Sequence, residues 1–420
     1  MSEPRQALIA GAGIGGLSAA LALQRQGWQL QILEQSAQLS EVGAGIQIGP
    51  NVTRILHNWG LQEALKACAA EPERLVARHA LQGHELGVLP LGKHIRERFG
   101  APYLTIHRAD LHGVLLQALN TAQTMGSAQA GSQLRLDLGQ TVQSLTMNDG
   151  VYDSEYGGVH GSVQSNVNVQ TNTQTLQAPL LIGADGLWSR VRASLWQDGP
   201  PQATGHVAYR ALISMADLPV ALRNPHVTVW LGPDLHVVQY PVRAGQAMNV
   251  VVIAHNSADA PQGWDHLATT QELLAATAQV CTPLRALLDA MPVWRRWVLF
   301  DRAPVSDAQT MARGRVALLG DAAHPMRPYL AQGAGMAIED AQTLAQCLGS
   351  ASNVNIPDAL QRYADLRWQR NARVQARARR NGRIFHMSPP ASWARDLALR
   401  LAGSKLMNLP WLYGNKAPGT

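Results

Sequence analysis

The chain has 420 residues, of which 46% are hydrophobic and 15% charged, with a formal net charge of +6. This is an ordinary composition for a soluble protein, and the length is more than one core comfortably fills, so two domains are expected. The positive balance favours anionic partners, but no lysine-rich run and no DNA or RNA motif accompanies it, so a nucleotide cofactor or a carboxylate substrate fits and nucleic acid is not expected. Cys68, Cys281 and Cys347 have neither metal nor redox spacing and read as reduced, buried thiols of a cytoplasmic protein. Residues 7–23 are apolar but broken by four glycines, without a convincing cleavage site, and no stretch of about 20 apolar residues occurs elsewhere, so neither a signal peptide nor a membrane span is expected.

Residues 7–10 read as a short strand. Gly11-Ala12-Gly13-Ile14-Gly15-Gly16 follows, then a helix to about Gln26, with Gly27 suited to its C′ position. A second strand at 30–33 ends on Glu34. This is the dinucleotide fingerprint in its required context. Gly11 permits the tight turn, Gly13 lets the backbone approach a pyrophosphate, and Gly16 lets helix and strand pack closely. Glu34 stands where a carboxylate binds both ribose hydroxyls and repels a 2′-phosphate, which suits FAD or NAD. Residues 41–51, EVGAGIQIGPN, read as a glycine-rich turn that includes Gly45. Residues 56–67 read as a helix, and 75–103 as strand-like pieces with a polar excursion. Arg108, at the start of the next helix, could reach a phosphate or flavin edge, or be an exposed N-terminal arginine.

Residues 121–177 are small and polar, and read as a long hairpin or a partly disordered loop insertion without chemistry. Residues 179–192 are again strand, turn and helix start. Asp185 lies at the strand's carboxyl end, facing the same crevice as the first fingerprint if the strand joins that sheet. From 203 to 255 the rhythm is antiparallel, with strands in HVTVWLG, LHVVQYPV and AMNVVVIAH. On the second of these His236, Val238 and Tyr240 alternate, so they point the same way. A His and a Tyr on one sheet face can handle a phenolic proton, or they can be ordinary packing. Residues 271–288 and 341–347 read as helical. Residues 359–384 form a long helix dense in arginine, expected to present a solvated face.

Residues 315–344, RVALLGDAAHPMRPYLAQGAGMAIEDAQTL, organise the rest. A buried strand ends at Gly320-Asp321. Pro325 and Pro328 keep the following residues out of helix. Gly333 and Gly335 then open a helix whose free N–H groups can hold negative charge. Asp321 can accept hydrogen bonds from sugar-like hydroxyls or simply cap a helix.

Three separated stretches, GAGIGG with Glu34, GADG at 183–186 and GDAAHP at 320–325, together resemble the single-component FAD-dependent aromatic hydroxylases, the group A flavoprotein monooxygenases. EVGAGIQIGPN, PYLTIHRADLH, LHVVQYP and AQGAGMAIEDA are most similar to the branch of salicylate hydroxylase, 3-hydroxybenzoate 6-hydroxylase and 6-hydroxynicotinate 3-monooxygenase. The insertion at 121–177 departs from that pattern. The resemblance implies an α/β fold in which a Rossmann-like FAD-binding domain (1–74, 104–190 and 300–350) interleaves with a mixed or antiparallel-sheet substrate domain (75–103 and 191–299), followed by a C-terminal helical segment (351–420).

It also implies roles. Gly11, Gly13, Gly15, Gly16, Glu34 and Gly45 would serve the cofactor, the fingerprint glycines and Glu34 holding its ADP half. Arg108 and Asp185 would lie along the pyrophosphate and ribityl region, and Asp321 would bind the ribityl chain. The backbone of Gln332, Gly333, Ala334 and Gly335 would face the flavin's pyrimidine edge, where the helix dipole favours an anionic reduced ring. The reaction implied is hydroxylation of a phenolic or hydroxylated heteroaromatic acid by NADH or NADPH and O2, through a flavin hydroperoxide on tightly but non-covalently bound FAD. A phenol has a pKa of about 10 and histidine one near 6.5, so a histidine base is useful at neutral pH. The resemblance makes His236 that base and Tyr240 its orienting partner. Where the 3-hydroxybenzoate pattern has a glutamine this chain has Pro328, as in the salicylate and hydroxynicotinate enzymes. Arg210 and Arg327 are candidates for a substrate carboxylate. A cytoplasmic monomer or homodimer without a metal is expected. The alternatives are another flavin oxidoreductase on the same scaffold, or a non-catalytic flavin- or aromatic-binding protein.

Overall fold

The computed structural model describes residues 5–39, 43–126, 133–148, 165–256, 266–349 and 355–415. Two sheets organise it. The first has six strands in the order Ala312–Arg313, Val316–Leu318, Leu181–Gly183, Gln6–Ala10, Gln29–Glu34 and Leu134–Leu138. All neighbours are parallel except the outermost pair, Ala312–Arg313 with Val316–Leu318. The central strands are short and almost wholly apolar, because layers cover them on both faces. The helices Ile14–Gln24, Gly333–Leu348 and Arg108–Gly126 share their core. So does a small antiparallel sheet of Val142–Asn148, Asn166–Thr171 and Thr175–Ala178.

The second sheet has eight strands, in the order His266–Leu267, Arg295–Asp301, Gln202–Ser214, Ala247–His255, Leu235–Val242, Val227–Gly232, Arg74–His79 and Glu85–Pro90. Only Val227–Gly232 and Arg74–His79 run parallel. Strand alternation gives it two unlike faces. Val207, Tyr209, Leu235, Val237, Val250 and Val252 form one, packed with Leu273, Leu284 and Leu287 of the helices Thr270–Ala276 and Thr282–Asp289. The residues between them, including His236, Val238 and Tyr240, face the first half of the molecule. The two-stranded ribbon of Gly45–Ile48 and Leu104–His107 lies against this inner face, and the Thr105 hydroxyl donates to the Pro241 carbonyl.

Several expectations change. The helix expected at 56–67 is two, Pro50–Asn58 and Gln62–Cys68, separated at Gly60 in the left-handed region. The one expected at 271–288 is likewise two, because Pro283 restarts the chain at Thr282–Asp289. Residues 45–48 form a strand, not a turn, because they pair antiparallel with Leu104–His107. Among its described residues the polar stretch at 121–177 holds the expected hairpin, Val142–Asn148 pairing antiparallel with Asn166–Thr171, and more besides. Arg108–Gly126 continues into it, Leu134–Leu138 adds an edge strand to the main sheet, and the small sheet accounts for much of the rest. Residues 127–132 and 149–164 lie outside the described residues. The three cysteines are free but half-buried. Among the described residues no helix is long and apolar enough to cross a membrane.

The arginine-dense helix Ile356–Phe385 differs most from the solvated face expected of it. Arg362, Arg373, Arg380 and Arg383 are exposed, but Arg367 is buried and Arg370 nearly so. Both pair with acidic residues of Gly333–Leu348.

Candidate active site

The glycine turn after Gln6–Ala10 has the geometry its sequence demands. Gly11 takes φ +100°. A Cβ there would stand 2.4 Å from the Ala184 carbonyl oxygen, and one on Gly16 would stand 1.9 Å from that of Gly11. Neither position tolerates a side chain. A Cβ on Gly15 would press on Leu319, where the first helix meets the core of Gly333–Leu348. Glu34 is fixed beside the turn, accepting from the N–H of Ala12 (2.8 Å) and of Ser36 (2.9 Å). Nε2 of His112 lies 2.8 Å from the Ala12 carbonyl, pinning the turn from the other side. Over Gly13 the space is open as far as the Arg108 guanidinium, 3.8 Å from a Cβ placed there.

Arg108, Asp321 and the start of Gly333–Leu348 converge on that opening. Burial lowers the Arg108 pKa while Asp321 opposes the shift. The Asp321 carboxylate opens into the cleft, yet protein surrounds it closely enough to raise its pKa against the pull of His324 and Arg108. A Cβ on Gly333 would lie 3.9 Å from its Oδ1. No side chain caps this 16-residue helix, so the N–H groups of Gly333, Ala334 and Gly335 point out of its end. Gln332, the residue before, is buried, and its side chain takes a hydrogen bond from Asn51 (3.3 Å). Asp185 has another occupation. Its carboxylate accepts from the Ser189 hydroxyl (2.6 Å) and from the N–H of Arg190 and Val191, supporting the start of the helix Arg190–Trp196, which Ser189 caps. Gly45 lies against the inner sheet face. A Cβ there would meet the Tyr240 ring at 2.6 Å, and its N–H donates to Asn249 Oδ1 (2.8 Å).

The sequence reading missed what lies behind the helix. Glu339 and Asp340, both fully buried, are met by Arg367 (2.8 and 2.7 Å), and Glu339 also by Arg370 (2.6 Å). Asn371 and the Gly320 N–H donate to Asp340, Asn51 donates to Glu339, and His324 bonds to Asp340. Burial alone would push both carboxyls up. Arg367, with His324 at Asp340 and Arg370 at Glu339, outweighs it and holds both below the usual range. His324 of the GDAAHP stretch therefore fixes the turn to the helix. Arg327 is paired with Asp301 (2.7 Å), which Arg379 shares.

Across the cleft, His236 is 1% exposed and Tyr240 4%. They lie four residues apart on one strand, about 13 Å between Cα atoms, with Val238 between them on the same face. Val229, Val238, Val251 and Arg210 form one row across the sheet, so Arg210 starts about 10 Å from Val238. The buried Arg210 guanidinium stacks 5.2 Å from the Trp297 ring. Burial raises the Tyr240 pKa, opposed by its bond to the Gln47 side chain, so the hydroxyl stays protonated. His236 touches Tyr329, Phe385 and His386, with ring centroids 5.0–5.3 Å apart. Burial, then His386 and His206, keep it neutral, well below the ordinary histidine pKa.

The profile of the FAD binding domain family matches residues 5–378. The chain belongs to the FAD-binding-domain family. It is 37% identical over 411 residues to 3-hydroxybenzoate 6-hydroxylase of Polaromonas naphthalenivorans (strain CJ2), covering 97% of this chain and 95% of that one. It is 37% identical over 417 residues to 3-amino-4-hydroxybenzoate 2-monooxygenase PtnB3 of Streptomyces platensis, covering 99% and 97%. Among solved structures, a salicylate hydroxylase substrate complex superposes with TM-score 0.79 at 26% identity, over 99% of this chain and 97% of that one. Such relatives make this family member an FAD-dependent aromatic-ring monooxygenase that consumes NAD(P)H. The residues present fit the cofactor: the cradle at Gly11 and Gly16 admits only backbone, Glu34 is set beside it, and an uncapped helix end faces the cleft.

Proposed function

We propose that this enzyme hydroxylates a phenolic or hydroxylated heteroaromatic carboxylic acid. The observation that carries the reading is the inner face of the eight-stranded sheet, where His236, Tyr240 and Arg210 surround the apolar patch of Val238 and Val251. A flat ring fits against those valines. His236 Nε2 accepts the phenolic proton, the protonated Tyr240 hydroxyl orients the substrate, and Arg210 pairs with its carboxylate. The names of the relatives, which include 6-hydroxynicotinate 3-monooxygenase of Bordetella bronchiseptica (strain ATCC BAA-588 / NCTC 13252 / RB50) at 33% identity over 376 residues, covering 89% of this chain and 90% of that one, support this class.

FAD, reduced by NAD(P)H, supplies the electrons and activates O2, one atom going to the ring and the other to water. In this reading the half built on the six-stranded sheet holds it. Gly11, Gly13 and Gly16 admit the pyrophosphate, Glu34 takes the adenosine ribose, and Arg108 sits over the phosphates. Asp321 receives the ribityl hydroxyls, and the N–H groups of Gly333–Gly335 stabilise negative charge on the ring edge. Asp185 acts by shaping the turn beside Gly11. The enzyme works in the cytoplasm, where reduced nicotinamide is available, as a monomer or homodimer.

The test is oxidation of NADH and of NADPH by the yellow protein with hydroxybenzoates, 6-hydroxynicotinate and neutral phenols under oxygen-18 gas. One acid should stimulate strongly and carry one labelled oxygen in its product. Stimulation without label points to another oxidative reaction, and no stimulation by any acid overturns the substrate class.

A further inference from the structure

A base that is buried and held neutral cannot keep the proton it takes. If His236 ended as an isolated imidazolium it would be a charge in an apolar pocket between Tyr329 and Phe385. The structure supplies an exit. His236 Nδ1 lies 2.7 Å from Nε2 of His386, the residue that ends the long C-terminal helix. Two imidazole nitrogens at that distance share one proton, one ring donating and the other accepting. The His386 ring is partly accessible and lies 5.1 Å from that of His206, which lies 5.6 Å from the exposed His255. His206 Nδ1 is 3.1 Å from the Thr204 carbonyl, which can only accept, so Nδ1 carries the hydrogen and Nε2 keeps its lone pair.

We propose that His236 and His386 act as one proton-transfer unit, so that a phenolic proton taken at His236 leaves the buried site through the partly accessible ring of His386. The inference rests on the reading of His236 as the base. The substrate O–H bond breaks as an N–H bond forms at His236 Nε2. The proton on His236 Nδ1 passes to His386 Nε2. His386 releases the proton on its Nδ1 to water. One proton moves outward, nothing is oxidised or reduced, and no buried ring keeps a charge. The groups around the path suit this traffic. His236 faces His386, His206 and the rings of Tyr329 and Phe385. His386 faces His206, His255 and Arg395, and His206 faces Arg327 and Asp234. Arg395 opposes a proton resting on His386, whose accessible ring hands it to water. His386 is then a positioning and relay residue that does not touch the substrate.

Two measurements on the FAD-loaded enzyme test this. With 15N-labelled histidine, the wild type should show a far-downfield proton coupled to His236 Nδ1 and His386 Nε2, absent from His386→Phe and His236→Phe. In stopped flow with 3-hydroxybenzoate, the phenolate absorbance should rise about 10²-fold more slowly in His386→Phe than in wild type, with unchanged affinity for the acid and partial rescue by added imidazole. His386→Gln, which keeps a polar end without a titratable ring, should be equally slow, and its flavin spectrum reports folding. Unchanged ionisation in both variants, or no coupled proton in the wild type, overturns the relay. A coupled pair in a protein that hydroxylates none of the aromatic acids overturns the functional reading alone.

Discussion

The cleft has two walls, and each buries polar side chains in its own way. Behind the Gly333–Leu348 helix every charge is matched: Glu339 and Asp340 face Arg367 and Arg370 at 2.6–2.8 Å. On the sheet side, burial and neighbouring histidines hold His236 and His386 neutral, the latter pushed down to about 3, and Tyr240 keeps its proton. Paired charges fix geometry, because moving either partner strands the other in low dielectric. Neutral titratable rings fix little, but they let a proton move without leaving an ion behind. The first wall suits holding a large cofactor still and the second suits acid–base work.

The largest expected effect tests the first wall. Arg367→Met leaves two buried carboxylates short of their partner and should cost about 3–5 kcal/mol of stability, read by urea unfolding of the FAD-loaded protein. A loss under about 1 kcal/mol would mean that the network is solvated and the contrast between the walls false. On the second wall His236→Ala should leave flavin binding nearly unchanged while coupled hydroxylation falls by about 10²–10⁴. Equal product formation across pH would remove His236 as base. Arg210→Gln should raise KM for the acid by about ten- to a hundredfold, the worth of one hydrogen bond to a charged group, while turnover of a neutral phenol changes little. A loss of equal size for both would make Arg210 structural.

The smallest effect is on stability against pH. The pKa values of His236 and His386 are lowered in the folded protein, so below about 6.5, the ordinary histidine value, the unfolded chain binds protons that the native rings refuse. Stability should be fully present above that pH and decline as pH falls from it toward about 3, where His386 titrates. His386→Gln should flatten that decline, and an identical acid slope in melting experiments would contradict the neutral assignment.

The cofactor side was largely legible in the sequence because its requirements are local. A glycine on which a Cβ would stand 1.9 Å from a carbonyl oxygen, and a carboxylate ending the next strand, leave their marks within 30 or so residues. The alternation of His236 and Tyr240 was legible for the same reason. His386 was not, since a lone histidine after an arginine-rich helix carries no local signal and is brought to His236 only by tertiary packing. The buried arginine had a faint one. Tyr363, Arg367, Asn371, Val374, Gln375 and Ala378 follow helical spacing on the buried face, so polar residues in phase with Tyr363 and Val374 mark a partnered interior that arginine density obscured. Asp185 was legible only as a strand-end acid, a position that serves cofactors and helix starts equally well, and its bonds to residues 189–191 come from the fold.

The helix Ile356–Phe385 touches both walls. Its middle grips the cofactor-side helix through Arg367 and Arg370, and its far end is tied to the sheet by Arg379 on Asp301 and sets His386 beside His236. Between Arg367 and His386 lies about 28 Å of continuous helix. A rod anchored at both ends resists any hinge between the halves, since opening them would have to bend it or tear out a buried ion pair. Traffic in and out of this cleft must therefore be local, through loops and side chains at its mouth, while the two walls keep a constant distance.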